Sequence, residues 1–209
     1  MKTVKGFWQS VAAAGVMAMT ASAQAGEIRY DTWSTNEGIS GNYQLTVNDD
    51  GGRFNFDLTV DPWNAEAFGL FVDVGEKSAA GAIDLPGDHT VTGAWSNLNS
   101  DNCGGNGCNV NGLSNHYTSY FDGEWGLVFR FGQQGFDSLQ SFSWSTALMG
   151  VGLDEFGLVA VRAQNLCSGD NTLDDGDNGC GDSDKSFGFS SPIPVTEPGM
   201  LGLMGLGLV

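Results

Sequence analysis

The segment 170–184 is the first candidate for chemistry, because it contains six Asp residues and no basic residue in fifteen positions. Crowded carboxylates repel one another, and a Ca²⁺ ion with its ~6–8 oxygen ligands would relieve that repulsion. The spacing does not fit an EF-hand, since counting from Asp174 places Gly176 third and Lys185 twelfth. Two interpretations stay open, a looser calcium loop and a solvated acidic loop. The ligands of a calcium loop would be Asp170, Asp174, Asp175, Asp177, Asp182 and Asp184.

Two tryptophans are candidates for stacking on sugar rings. Trp63 follows an Asp-Pro pair, and Trp95 lies at the end of a short run of alternating residues. Aromatic side chains are more often buried than exposed, so a place in the core is the competing interpretation for both. Trp125 and Trp144 follow the inward alternation of their segments and are predicted to be core residues.

Residues that could support catalysis form no recognised pattern. The two histidines, His89 and His116, are far apart, and neither a Gly-x-Ser-x-Gly nor a His-Glu-x-x-His motif occurs. A glycosidase needs two facing carboxylates, for which Glu124, Asp154 and Glu155 are unranked candidates. We expect a noncatalytic protein, with a polysaccharide-active hydrolase as the least favoured alternative.

Four cysteines allow three disulfide pairings, of which the local one is favoured. Cys103 and Cys108 would close a tight loop whose glycines accept positive φ angles, and Cys167 and Cys180 would close a fourteen-residue loop. A loop of that length contributes roughly 3 kcal/mol in the chain-entropy model. A four-thiolate zinc site is the competing idea, but the spacings differ from the usual paired Cys-x-x-Cys knuckles.

The elements that must position these residues are predicted to be strands, because the hydrophobic period is two. Residues 43–47 and 54–60 alternate on either side of an Asp/Gly turn, which is typical of a β-hairpin. Similar runs occur at 68–74, 90–95, 125–131, 139–146, 158–163 and 186–190. About eight short strands and 32 glycines predict an all-β domain, a single antiparallel β-sandwich with jelly-roll-like topology over residues 26–191.

The amino-terminal segment 1–25 has the pattern of a secretory signal peptide. Lys2 and Lys5 precede the apolar run 11–19, and Ala23 or Ala25 is the expected cleavage residue. Removal would leave about 184 residues, enough for one domain. These residues contain six basic and 25 acidic side chains, a net charge of −19. Such a charge repels phosphate backbones, so we expect no nucleic-acid partner.

The carboxyl-terminal segment 192–209 contains Thr196-Glu197-Pro198, followed by eleven residues without charge. It resembles the PEP-CTERM sorting signal of Gram-negative bacteria, in which a Pro-Glu-Pro motif precedes an apolar helix and a short basic cluster. Here Thr196 replaces the first Pro, and no basic cluster follows. Eleven helical residues span roughly 16 Å, against a hydrocarbon core of about 30 Å. We therefore expect the sequence to be truncated within a longer membrane segment.

The resemblance implies processing by an exosortase, contact with a membrane through the tail, and association with exopolysaccharide. Together with the signal peptide, it predicts an exported, surface-sorted, noncatalytic protein of the cell envelope or the biofilm matrix of a Gram-negative bacterium. The alternative is a calcium-assisted carbohydrate-binding module.

Overall fold

A computed structural model describes residues 26–75, 83, 90–105, 107–117, 121, 123–132, 137–147, 150–175 and 179–192. Several predictions lie outside these residues. They are the signal peptide 1–25, the apolar tail, the motif residues Thr196, Glu197 and Pro198, the candidate ligand Asp177, and His89.

The described residues form eleven strands joined mostly by turns and loops. The strands are β1 (Glu27–Tyr30), β2 (Trp33–Thr35), β3 (Tyr43–Asn48), β4 (Arg53–Val60), β5 (Glu66–Val72), β6 (Val91–Leu98), β7 (Trp125–Phe131), β8 (Ser141–Ala147), β9 (Leu158–Cys167), β10 (Cys180–Phe189) and β11 (Ser191–Pro192). One α-helical turn, α1, covers Ser114–Tyr117, and short 3-10 turns cover Asp50–Gly52, Leu153–Glu155 and Leu173–Asp175. Within the described ranges, no helix has the length and apolarity needed to cross a bilayer.

The strands make two antiparallel sheets, which confirms the predicted all-β sandwich. The five-stranded sheet has the order β11-β1-β3-β4-β8, and the six-stranded sheet has the order β2-β10-β9-β5-β7-β6. Six of the ten connections between successive strands cross from one sheet to the other, as jelly-roll-like topologies require. Three hairpins, β3–β4, β6–β7 and β9–β10, stay within one sheet.

The predicted hairpin of β3 and β4 is present, with Tyr43 opposite Val60 and Asn48 opposite Asn55. Its turn needs Gly52, whose φ of 74° is in the left-handed region that L-residues with a Cβ disfavour. The alternating apolar residues of both strands point between the sheets, so the period-two pattern of the sequence reports the inner face directly.

Aromatic rings fill the space between the sheets. Phe56 of β4 stacks on Trp144 of β8 with ring centroids 5.1 Å apart, and Phe129 of β7 packs on both from the opposite sheet. Trp144 is therefore a core residue, as predicted. Such aromatic pairs each contribute about 0.5–1.5 kcal/mol beyond the area they bury.

Part of the outer face of the six-stranded sheet is also buried, which makes a second apolar cluster. All seven residues of β5 are buried, because the loop between β6 and β7 covers this face with Val110, Leu113, Tyr117 and the Cys103–Cys108 disulfide. A strand covered on both sides needs no polar alternation. Trp125 is fully buried, as predicted, but it packs in this outer cluster against Phe71, so the expectation that it points inward is wrong.

Both local disulfides are confirmed. Cys103 and Cys108 close the tight loop, and Cys167 and Cys180 join the last residue of β9 to the first residue of β10. No cysteine of the chain is free. The second bond thus links the two strands at the end of the β9–β10 hairpin, beside the acidic residues that follow β9.

Candidate functional site

An open cleft of about 340 Å³ lies at one end of the five-stranded sheet. It forms where β1 and β4 end and β3 begins, because these antiparallel neighbours bring Tyr30 beside Leu45 and Tyr43 beside Val60. The residues that line the cleft are Arg29, Asp31, Asn42, Tyr43, Gln44 and Asp61.

Backbone and side-chain hydrogen bonds fix the wall of the cleft around Asn42. Its N–H donates to Oδ1 of Asn64 at 2.8 Å, and its Nδ2 donates to the carbonyl of Pro62 at 3.0 Å. Its own carbonyl accepts from the N–H of Asp61 at 3.0 Å. The Asp61–Pro62 peptide bond is cis, so the chain turns sharply directly beside the cleft.

The buried carboxylate of Asp184 anchors the floor of the cleft. It accepts hydrogen bonds from the Tyr43 hydroxyl at 2.7 Å, from the Gly41 N–H at 2.9 Å, and from the hydroxyls of Thr35 and Ser186. Burial, and then the charge of Asp184, raise the pKa of Tyr43 well above its ordinary value. The phenol therefore remains a hydrogen-bond donor across the physiological pH range.

Asp184 does not belong with the exposed residues of the acidic segment, which corrects its assignment as a calcium ligand. It is completely buried in β10, and its two oxygens are already held by donors from β2, β3, β10 and the segment before β3. Arg162 of the neighbouring β9 donates from Nη1 to the Asp184 carbonyl at 3.1 Å and from Nε to the Gly107 carbonyl at 3.0 Å. Burial lowers the pKa of Arg162, and the negative charges of Glu37 and Asp184 oppose that shift.

Three other carboxylates of the segment are on the surface. Asp170, Asp174 and Asp182 are exposed, and Asp175 ends a 3-10 turn. No group of three or more Asp, Glu, His or Cys among the described residues is arranged to hold a metal ion. The calcium site, for which Asp177 lies outside the described residues, stays a prediction.

Trp63 is buried in the main core with 8% of its surface exposed, so its assignment as a sugar platform is wrong. The physical reason is the turn that carries it. The Trp63 carbonyl accepts from the Leu173 N–H at 2.8 Å, and the Asn64 carbonyl accepts from the Cys167 N–H at 2.8 Å, which draws the turn under the loop after β9.

Trp95 is half-buried in β6, and its ring packs beside Gly93 and Gly104. A Cβ at Gly93 would lie 2.6 Å from the indole, so glycine is needed for the ring to lie against the backbone. Its role as a sugar platform stays a prediction.

A pair of neighbouring carboxyl groups, the buried Glu66 and the partly buried Asp137, was not anticipated from the sequence. Oε1 of Glu66 accepts from the Asp137 N–H at 2.7 Å, and Oε2 accepts from Nδ2 of Asn165 at 3.0 Å. Burial, together with the nearby carboxyl group of Asp137, raises the pKa of Glu66 to about 7. With 1% of its surface exposed, Glu66 does not face the solvent. The only sequence signal was a Glu at the edge of an apolar run.

No family model, curated protein or solved structure matches this chain. The chemistry of the cleft therefore follows from its own residues. A guanidinium donates, two carboxylates accept, and two carboxamides do both. Such a set is suited to hydroxyl-rich ligands, whose every hydroxyl both donates and accepts.

Proposed function

We propose that this protein is an exported, noncatalytic component of the cell envelope or of the exopolysaccharide matrix. The observation that carries the proposal is the complete pairing of the four cysteines of the domain. Structural disulfides form and persist in oxidising compartments, and they are rare in the reducing cytosol. A signal-peptide pattern at residues 1–25 agrees with that compartment.

The carboxyl-terminal segment and the net charge support the proposed location in the cell envelope or the exopolysaccharide matrix. The resemblance of residues 192–209 to a PEP-CTERM signal implies exosortase processing and a membrane stage before delivery. The described domain ends in β11 at Pro192, so only three residues separate it from Thr196. A net charge of −17 for the whole chain disfavours binding to nucleic acid and favours a well-hydrated protein surface.

Export and sorting can be tested by expressing the gene, with its downstream codons, in a Gram-negative host that contains an exosortase. We expect the outer fractions to hold a protein that lacks residues 1–25, has no free thiols, and is cut near Glu197. The Glu197→Ala variant should retain its tail, whereas Thr196→Ala, at the position that already departs from the motif, serves as the matched control. Uncut, thiol-bearing protein in the cytoplasm would refute the proposal.

A calcium-assisted carbohydrate-binding module is the second hypothesis, supported by the exposed carboxylates of Asp170, Asp174 and Asp182 around the second disulfide loop. A polysaccharide-active hydrolase is the third, since Asp31 and Asp61 line one cleft. Incubating the purified protein with neutral glucans, mannans and galactans separates the third from the other two. Release of shorter oligosaccharides, lost in Asp61→Asn, would replace the noncatalytic proposal with the hydrolase.

A further inference from the structure

The cleft at the end of the five-stranded sheet has polar side chains that the fold leaves uncommitted. Within the described part of the chain, the side chains of Gln44 and Asp61 form no hydrogen bond. Arg29 has only a 4.0 Å ion pair with Glu27, both side chains being about half exposed. Exposed pairs of this kind contribute little and exchange easily with other partners.

The frame that carries these groups is, in contrast, rigid. Asn42 is held by three hydrogen bonds to residues 61–64. The Tyr43 hydroxyl donates to Asp184, and the Tyr43 carbonyl accepts from Nε1 of Trp33 at 2.7 Å. A Cβ at Gly41 would overlap the Tyr43 ring, so the chain is packed closely at this point. A fixed frame lowers the ordering entropy that binding has to overcome.

The composition of the cleft selects among ligand classes. One Arg and two Asp give it a formal charge of −1, in a protein of charge −17, which disfavours phosphates, uronates and sulfated glycans. The Arg29 guanidinium in the same wall disfavours a metal cation. Tyr43 is 1% exposed, so it offers no ring face for stacking. What remains is an uncharged ligand recognised through hydrogen bonds alone.

We propose that the cleft lined by Arg29, Asn42, Gln44 and Asp61 binds a neutral saccharide, with the planar side chains contacting vicinal hydroxyls. The volume of about 340 Å³ accommodates one or two hexose units of a longer chain. This inference rests on the proposed association with exopolysaccharide. It identifies the cleft as the surface of the protein that contacts the polysaccharide. Recognition by hydrogen bonds over so small an area gives a dissociation constant on the order of 1 mM.

The test is a ¹⁵N NMR titration of the disulfide-bonded chain with tetrasaccharides of glucose, mannose and galactose, and with tetragalacturonate as the anionic probe. We expect a neutral probe to shift the amide signals of residues 29–31, 42–44 and 61. The Gln44→Ala/Asp61→Asn double variant should bind at least tenfold more weakly. Asp57→Asn is the matched control, since Asp57 is an exposed residue of β4 outside the cleft and loses the same charge.

The outcomes separate this proposal from the function on which it rests. If no neutral probe binds below about 50 mM, or the double variant binds as wild type does, the saccharide cleft is refuted. Tighter binding of tetragalacturonate, or of Ca²⁺ at these residues, would refute it as well. If wild type and the double variant are both exported and both co-fractionate with exopolysaccharide, the saccharide cleft is refuted and the proposed function stands. If the protein binds a neutral saccharide at the cleft but is confined to the cytoplasm, the proposed function is refuted and the saccharide cleft stands.

Discussion

Two acidic residues, Asp184 and Glu66, are buried in this protein by opposite means. Asp184 is surrounded by donors from Thr35, Gly41, Tyr43 and Ser186, which replace the water that a carboxylate loses on burial. Glu66 has two amide donors but also lies beside a second carboxyl group, Asp137. Asp184 holds Tyr43 of the cleft lining in place, whereas Glu66 is a proton-binding site.

Replacing Asp184 with Asn should destabilise the domain by about 2–4 kcal/mol, because an amide nitrogen cannot accept the hydrogen bonds that one carboxylate oxygen accepts here, and the surrounding hydroxyls would have to reverse theirs. The measurement is the urea midpoint at pH 7. Asp182→Asn is the control, since Asp182 is an exposed residue two positions earlier and its loss should change stability by less than about 0.5 kcal/mol. Equal effects of the two substitutions would show that the donor cluster around Asp184 contributes nothing.

Glu66 should make the domain less stable as the pH rises through neutrality. Its pKa is raised from 4.5 to about 7, so between these values the folded protein holds a proton that the unfolded chain has released. The contribution of Glu66 to the free energy of unfolding is therefore fully present below pH 4.5 and is lost as the pH rises through 7. Between pH 5 and pH 8, wild type should lose about 2 kcal/mol more than Glu66→Gln.

Urea unfolding at pH 5, 6, 7 and 8 measures this difference. The exposed Glu27→Gln variant should follow wild type across the whole range. A Glu66→Gln profile parallel to that of wild type would contradict the raised pKa of Glu66.

At the scale of single elements, the covering of β5 depends on a close approach of backbone and disulfide. A Cβ at Gly69 would lie 2.7 Å from Sγ of Cys108 and 2.8 Å from Sγ of Cys103, distances that no relaxed contact has. Gly69→Ala should therefore destabilise the domain by about 1–3 kcal/mol, as overpacking does. Gly157→Ala, whose Cβ would meet its nearest neighbour at 3.6 Å, is the tolerated control.

The cause can be isolated in a double-mutant cycle. In a Cys103→Ala/Cys108→Ala background the added methyl group meets no sulfur, so the effect of Gly69→Ala on the denaturation midpoint should shrink by at least half. An unchanged effect would assign the loss to the strand itself rather than to the disulfide above it.

Strands with clear alternation could be predicted from the sequence, and those without it could not. The β3–β4 hairpin was evident because each inward residue is apolar over six to eight positions. The strands β1 and β2 have four and three residues, too few for a period to emerge. The acidic start of β10, from Cys180 to Asp184, has the composition of a loop. Its position in a strand depends on pairing with β9, which composition does not report.

The functional residues were harder still to anticipate. The cleft contains polar residues at the end of β1 and at both ends of the β3–β4 hairpin, and none of them belongs to a motif. Proximity there results from strand register and from the turn at Pro62. Likewise, Trp63 and Trp95 share a residue type, but their tertiary contacts, in a turn for Trp63 and in β6 for Trp95, decide that the first is buried and the second half-buried.

At the scale of the whole molecule, the dominant quantity is a net charge of −17 with 25 acidic residues. Repulsion among so many exposed carboxylates opposes the compact state, and salt screens it over a Debye length of about 10 Å at 0.1 M. Any cation should therefore stabilise the domain. The calcium hypothesis requires more than this, namely a stabilisation that depends on the identity of the ion.

Thermal unfolding in equal concentrations of CaCl₂ and MgCl₂ separates screening from a site. From the described residues, which hold no cluster suited to a metal, we expect both salts to raise the melting temperature equally. A calcium loop would instead give an additional stabilisation in CaCl₂ that grows with the ratio of ion concentration to dissociation constant, about 2.7 kcal/mol at a ratio of 100. That excess should vanish in Asp174→Asn and persist in Asp57→Asn. Its appearance would establish the calcium-assisted module in place of a screened acidic surface.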